Sequence, residues 1–315
     1  MTDRTVAVLA GGLSHEREVS IRSGRRLAAA LRDTGLVVEE WDADSGLIDR
    51  LTAHRPDAVV IAMHGGAGEN GAVQSVLEML GVPFVGTDAG ACRRAFDKPI
   101  AKTILTEAGL ITPAWVALPQ STFRELGAPA VLAALVAKLG LPFMLKPDQG
   151  GSALGAHIVR TEADLPTAIV GCLAYSDTAL AERYISGVEV AVTVIDTPSG
   201  PIALPAVEIE PDAEFYDYSA RYTAGLTTFH CPARLETSVA KSLAELAVRA
   251  HTVLGLRDVS RTDAVVAPDG TVYVLEVNVS PGLTETSLLP LAVEESGSTV
   301  GAVFRDLIER AIRRG

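Results

Sequence analysis

Residues 261–267 and 271–278 are two apolar segments around a Pro-Asp-Gly turn, and they read as a β-hairpin. With Asp269-Gly270 as a two-residue loop, Pro268 faces Thr271. Counting outward then sets Asp263 opposite Glu276 and Arg261 opposite Asn278. Side chains alternate faces along a strand, so all four would point to one side. Two carboxylates and an amide oxygen are hard ligands. They suit Mg²⁺, which keeps several waters and takes its other ligands from substrate phosphates. Arg261 beside them can stabilise developing negative charge. The plainer reading is a surface hairpin with cross-strand ion pairs. A different loop length would also shift the register and spoil the shared face.

The residues after the hairpin favour the chemical reading. Asn278-Val279-Ser280-Pro281-Gly282 ends the strand, and a Ser or Thr within residues 284–287 is expected to cap a following helix. Free N–H groups at a helix N-terminus can hold a carboxylate or phosphate. Lys146 closes an apolar strand just before Pro147 and the small-residue loop 148–155. The backbone of such a loop can approach phosphate oxygens closely. It is not a Walker A loop, because the lysine precedes the glycines. Only five of the 27 basic residues are lysines (Lys98, Lys102, Lys138, Lys146 and Lys241), so a lysine at a special position is a sharp signal here. Gly11-Gly12 and the segment through Ser20 follow one apolar strand, and His64 ends another. Ligands of open α/β sheets bind outside such strand ends. Each of these segments alone is equally an ordinary turn or strand end.

The elements that would position these groups fall into three stretches. The first alternates strand and helix: strands at 5–10, 36–41, 58–63 and 82–85, helices at 19–31 and 71–80. That rhythm implies a parallel sheet covered on both faces. The middle mixes helices at 98–108, 130–139 and 165–174 with strands at 113–116, 141–146, 157–160 and 178–185. The last stretch has strands at 188–196 and 202–209, the hairpin, and helices at 239–254 and 299–313. Residues 211–232 show no clear period, and a loop of that length inside a domain suggests a lid.

Composition limits the function classes. The chain has 315 residues, 48% hydrophobic and 21% charged, and a net charge of -12. This is an ordinary globular composition, and the acidity argues against a nucleic-acid or anionic-membrane partner. The longest apolar run, residues 126–137, is broken by Gly127 and Pro129 and falls short of the roughly 20 residues a membrane helix needs. No secretory leader pattern precedes the first strand. The three cysteines, Cys92, Cys172 and Cys231, have no metal spacing and suggest reduced thiols in a cytoplasm.

Taken together, these segments resemble the D-alanine–D-alanine ligase family of the ATP-grasp superfamily. The matching pieces are Gly11-Gly12 with residues 16–20, residues 64–69, residues 81–86, and Asp97-Lys98. They continue with Lys146-Pro147 and its loop, residues 215–218, residues 231–233, Arg261-Thr262-Asp263, and Glu276 through Leu288, in family order over nearly the whole chain. The resemblance implies an α/β, three-domain ATP-grasp architecture with an N-terminal parallel-sheet domain. The expected divisions are 1–97, 98–183 and 184–315. It implies ATP-dependent joining of two D-alanines through an acylphosphate, serving cell-wall peptidoglycan synthesis. ATP, Mg²⁺ as two ions and a homodimer come with it.

Roles follow by resemblance. Lys98, Lys146 and Arg221 would meet the ATP phosphates. Glu182, Tyr184 and Ile185 would meet adenine, and Glu189 the ribose. Asp263, Glu276 and Asn278 would hold Mg²⁺. Glu16 would anchor the first D-alanine's ammonium, with Ser152 and Tyr222 as its hydrogen-bonded partners. Arg261 and the Gly282 N–H would stabilise the oxyanion. Ser287 and Leu288 would form the second amino acid's pocket, and His64 would line the site.

Four positions depart from the family pattern. Arg221 stands in place of the usual Lys, Ala153 of a second Ser, Asn70 of Asp, and His230 of Phe or Tyr. Asn70, Ala153 and Arg221 motivate an alternative: a paralogue joining D-alanine to another amino acid, in antibiotic biosynthesis or self-resistance. Tyr222 resembles the dipeptide-forming type rather than the D-lactate type. A nucleotide-binding protein without ligase chemistry is a third reading, opposed by the intact Arg261, Asp263, Glu276 and Asn278.

Overall fold

The computed structural model describes residues 4–212, 216, 218–223 and 225–315. Its first unit holds β1 (Thr5–Ala10), α1 (Arg17–Arg32), β2 (Val37–Asp42), α2 (Leu47–His54), β3 (Ala58–Ile61), α3 (Ala72–Leu80), β4 (Phe84–Val85) and α4 (Ala89–Phe96). The strands form a parallel sheet in the order β2-β1-β3-β4. Alternation along β1 covers both faces, as the period of two requires. Val6 and Val8 pack with Leu27 and Leu31 of α1, whereas Ala7 and Leu9 pack with Leu51 and Leu77 of α2 and α3.

α5 (Lys98–Glu107) packs Ala101 and Leu105 with Ala91 and Cys92 of α4 and with Leu254 and Val277 farther along the chain. The second unit holds β5 (Trp115–Pro119), α6 (Gln120–Leu126), α7 (Ala128–Leu139), β6 (Phe143–Pro147), β7 (His157–Val159), α8 (Leu165–Leu173) and β8 (Thr178–Arg183). Its sheet is antiparallel, in the order β5-β8-β6-β7. Asp97 caps α5 by accepting from Ile100 N at 3.0 Å. That cap starts the helix at Lys98 and fixes where its lysines point.

The third unit holds β9 (Val188–Thr197), β10 (Gly200–Ala203), β11 (Val207–Pro211), α9 (Tyr218–Tyr222), β12 (Thr227–His230), α10 (Thr237–Val253), β13 (Val259–Val266), β14 (Val272–Asn278), α11 (Leu288–Glu295) and α12 (Val300–Arg314). Its antiparallel sheet runs β12-β11-β9-β13-β14, with β10 also on β9. The single strand expected over 202–209 is two, because Pro205 has no N–H to give the ladder. The stretch 211–232 contains α9 and the edge strand β12, which is too short for its alternation to stand out in sequence. α12 returns to the first unit, burying Phe304, Leu307 and Ile308 with Val6 and Val8. The two short helices α2 and α6, and α4, were not expected from periodicity. Among the described residues no helix is long and apolar enough to cross a membrane.

Candidate active site

The hairpin reaches the expected register by an unexpected route. Gly270 N donates to Ala267 O at 2.8 Å and Ala267 N to Thr271 O at 2.9 Å, so three residues make the turn, not two. Gly270 takes the φ of 84° that such a turn requires at its last position. Pairing is thereby shifted by one, with Val266 opposite Val272. A β-bulge between Asp263 and Ala264, with Leu275 as the extra residue, shifts it back. Asp263 then faces Glu276, and Arg261 faces Asn278. The bulge also turns Leu275 and Glu276, neighbours in sequence, into the same cavity.

Arg261 and Asp263 are both buried and form a two-point ion pair, Nε to Oδ1 at 2.6 Å and Nη2 to Oδ2 at 2.8 Å. Burial opposes the guanidinium's charge, but Asp263 outweighs it and drives its pKa up. Burial likewise opposes ionisation of Glu276, yet Lys98, Lys146, Arg221 and Arg261 hold it down at about 2. Lys98 Nζ lies 3.7 Å from Glu276 and donates to Gly150 O at 2.7 Å. Asn278 Oδ1 is oriented by the Ser280 N–H at 2.7 Å. The donor set fits a hard dication: an ionised carboxylate from which the Lys98 ammonium stands beyond hydrogen-bond distance, beside a second carboxylate and an oriented amide oxygen.

A cavity of about 400 Å³ opens between the second and third sheets. Met144, Ile185, Val188 and Leu275 give it apolar walls, and Glu182 and Lys146 lie at its floor with Tyr184 beside them. Glu182 on β8 is shared between Lys146 on β6, at 2.5 Å, and Lys102 on α5. Burial would raise the Glu182 pKa, but the two lysines lower it. Glu189 faces the same cavity from β9, and burial pushes its pKa up to about 7.

A smaller polar pocket, about 50 Å³, adjoins it and shares Tyr216 and Arg221 with it. Glu16, His64, Ser152, Arg261, Asn278, Gly282, Ser287 and Leu288 all line this pocket. Ser152 donates to Glu16 from a loop where Ser152 and Ala153 take φ of 54° and 56°. Left-handed backbone at two successive non-glycine residues is the kind of strain that sites hold in place. Glu16 is buried, and that burial raises its pKa. Glu69, also buried, accepts from Gly65 N at 2.9 Å. Burial, and then the nearby Glu16, push it up to about 8.

His64 lines the pocket but offers it no free nitrogen. Its Nδ1 is 3.1 Å from Ser280 O, which can only accept, so Nδ1 carries the proton. Nε2 then accepts from Ser23 Oγ at 2.7 Å, and that hydroxyl accepts from Leu283 N at 3.2 Å. Burial lowers the His64 pKa to about 4, so the ring is neutral. It ties α1 to the strand-to-helix loop on either side of Gly282. Ser287 occupies the N-cap position of α11 without capping it. Its Oγ instead accepts from Thr284 N at 2.9 Å. The first-turn N–H groups of α11 are thus left to an external anion, contrary to the cap expected from sequence.

Two further groups belong here to which the sequence assigned no role. Lys102 is fully buried against Glu182, and the scarcity of lysine that flagged Lys146 flags it equally. Tyr216 is buried under the Arg221 guanidinium, which sits 4.3 Å from its ring centroid. Phe215 and Asp217 lie outside the described residues, as does the Tyr222 side chain at the end of α9. The departures from the family pattern have local explanations. Asn70 Oδ1 accepts from Ala72 N at 3.0 Å, a bond an aspartate would also make. His230 pairs with Glu210 at 2.9 Å, away from the small pocket.

The family model described as "D-ala D-ala ligase C-terminus" matches residues 104–313. A D-alanine–D-alanine ligase of Anaeromyxobacter sp. (strain K) is 39% identical over 311 residues, covering 99% of this chain and 96% of that protein. The crystal structure of the Bacillus anthracis D-alanine–D-alanine ligase superposes with a TM-score of 0.83 at 30% identity, covering 98% of both chains. The same enzyme complexed with ATP gives a TM-score of 0.81 at 28% identity, again covering 98% of both.

Proposed function

The chain belongs to the D-alanine–D-alanine ligase family, and we propose from its site that it joins two D-alanines at the expense of ATP. Contiguity of the two cavities supports this reading above all. A nucleotide-sized cavity with Lys98, Lys146 and Glu276 opens directly onto a small pocket with Glu16, Arg261 and Gly282.

A carboxylate is a poor acyl donor because oxide would have to leave. Transfer of the ATP γ-phosphoryl to the first D-alanine's carboxylate gives an acylphosphate and ADP. The second D-alanine's amine attacks that carbonyl, loses its proton, and inorganic phosphate departs. Glu16 holds the first substrate's ammonium, with Ser152 fixing the carboxylate. Lys98, Lys146 and Arg221 neutralise the transferring phosphates, which is most of what phosphoryl transfer needs. Arg261 and the Gly282 N–H face the tetrahedral oxyanion. The open N-terminus of α11, with Ser287 and Leu288, receives the second substrate's carboxylate. Asp263, Glu276 and Asn278 would hold Mg²⁺, which would supply neutralising charge for the nucleotide's phosphates. The segment over Tyr216 and Arg221 covers the site and keeps water from the acylphosphate. Thr286 Oγ1 donates to Arg221 O at 2.9 Å, which fastens that cover to the acceptor side.

This reading carries with it the division at 97/98 and 183/184, a homodimer and a cytoplasmic setting where ATP is supplied. Of the departing residues only Arg221 touches the small pocket, so D-alanine is the favoured acceptor. Phosphate release with ATP and Mg²⁺ tests it, using D-alanine alone and then paired with other D- and L-amino acids or D-lactate, with products identified by mass. Brisk release with D-alanine alone, giving the dipeptide, is expected. Slow release that a second amino acid restores would make the protein a paralogue with another acceptor.

A further inference from the structure

The buried charges beneath the large cavity form a line of three: Lys102, Glu182, Lys146. Lys146 and Glu182 line the cavity, but Lys102 does not. It projects from α5 and is fully buried, with its ammonium on Glu182 Oε1 while Lys146 holds Oε2 at 2.5 Å. One carboxylate therefore has a cation on each oxygen. Its charge and its rotation are both fixed before any ligand arrives. Lys98 stands one helical turn earlier on α5, where its ammonium reaches Gly150 O and Glu276. A single helix thus carries one lysine to the phosphate end of the cavity and one to its floor.

We propose that Lys102 is a positioning residue for nucleotide binding, acting only through Glu182. This rests on the reading of the large cavity as the nucleotide site. Without Lys102, Glu182 would keep one cation for two buried oxygens, and Lys146 would be drawn across both of them and away from the cavity. An apolar slot with a carboxylate on its floor recognises a nucleobase amino group only if that carboxylate stays ionised and correctly turned. Among the described residues Lys102 does not line the small pocket around Glu16, so recognition of D-alanine should be indifferent to it.

The test measures KM for ATP, KM for D-alanine and kcat in four proteins: wild type, Lys102→Met, Glu182→Gln and the double variant. Lys102→Met should raise the ATP KM at least tenfold and leave the D-alanine KM within about twofold. In the Glu182→Gln background the same substitution should change the ATP KM less than twofold, because the group it acts through is gone. An unchanged ATP KM in Lys102→Met, or an equal rise in both backgrounds, would overturn the proposal. Should Lys102→Met fail to fold, Lys102→Arg and Lys102→Gln carry the comparison: Arg should keep the ATP KM, Gln should not, and equal values overturn it. A wild-type protein that neither binds nor turns over ATP would instead refute the nucleotide reading itself.

Discussion

Glu16 rests against Gly65 so closely that a β-carbon on Gly65 would overlap its Oε2. Gly151 closes the other side, where a β-carbon would stand 3.0 Å from both carboxylate oxygens. Two glycines from different units thus cradle the carboxylate assigned to the first substrate's ammonium. Gly65 also takes a φ of 66° with a ψ of 170°, a region open essentially to glycine alone, so Gly65→Ala meets both overlap and backbone strain of about 1–3 kcal/mol. That substitution should displace Glu16 and raise the KM of the first D-alanine about tenfold or more, while the ATP KM moves little. Steady-state kinetics that resolve the two D-alanine sites check this. Equal KM values in variant and wild type would mean that the cradle does not set Glu16.

Glu276→Gln keeps the shape of the group proposed to face Mg²⁺ and removes its charge. Turnover should fall by at least about 100-fold, and the Mg²⁺ concentration for half-maximal rate should rise. A titration of rate against Mg²⁺ reads both. Retained activity at ordinary Mg²⁺ would remove Glu276 from the metal site.

Ser287→Ala deletes the oxygen that accepts from Thr284 N and leaves the start of α11 less firmly placed. The KM of the second D-alanine should rise roughly tenfold, equivalent to about 1.4 kcal/mol of binding, with the ATP KM within about twofold. An unchanged acceptor KM would discredit this pocket.

Glu69 gives a pH prediction whose sign can be worked out. Its pKa is about 8 in the folded chain against 4.5 for an ordinary glutamate, so the folded state binds the extra proton between those values. The resulting stability is complete below about pH 4.5 and is lost as pH rises through 8. Glu69→Gln keeps an acceptor oxygen for Gly65 N and cannot ionise. Its stability relative to wild type should therefore grow with pH, by an amount on the order of a few kcal/mol between pH 5 and 8.5. Urea midpoints of the substrate-free proteins across that range test it, and parallel curves would refute it.

Much of this architecture was legible in sequence because its signals are local. The apolar strand at Thr5–Ala10 and the Asp97 cap before Lys98 each act within a few residues. The hairpin face was legible for a subtler reason. A three-residue turn and a bulge each shift the register by one, and they cancel, so a count that assumed neither reached the right pairs. The Glu182–Lys102 pair was not legible. It spans 80 positions and depends on α5 packing against α4 and β14 so that Lys102 reaches across to β8, a relation that tertiary packing alone creates. Nor was the neutral His64 ring, since a strand-end histidine reads the same whether its nitrogens face substrate or serine.

The Leu275 bulge separates two kinds of inheritance. Removing Leu275 would leave Asp263 facing Glu276 and Arg261 facing Asn278 on a regular ladder, so the reacting end of the hairpin would keep its partners. What would go is one apolar wall of the cavity proposed to hold the nucleotide. Substitutions at that one irregular residue can therefore reshape the slot for the base while the charged face next to it keeps its register. A lineage could change which nucleotide it prefers there without relearning the bond it makes.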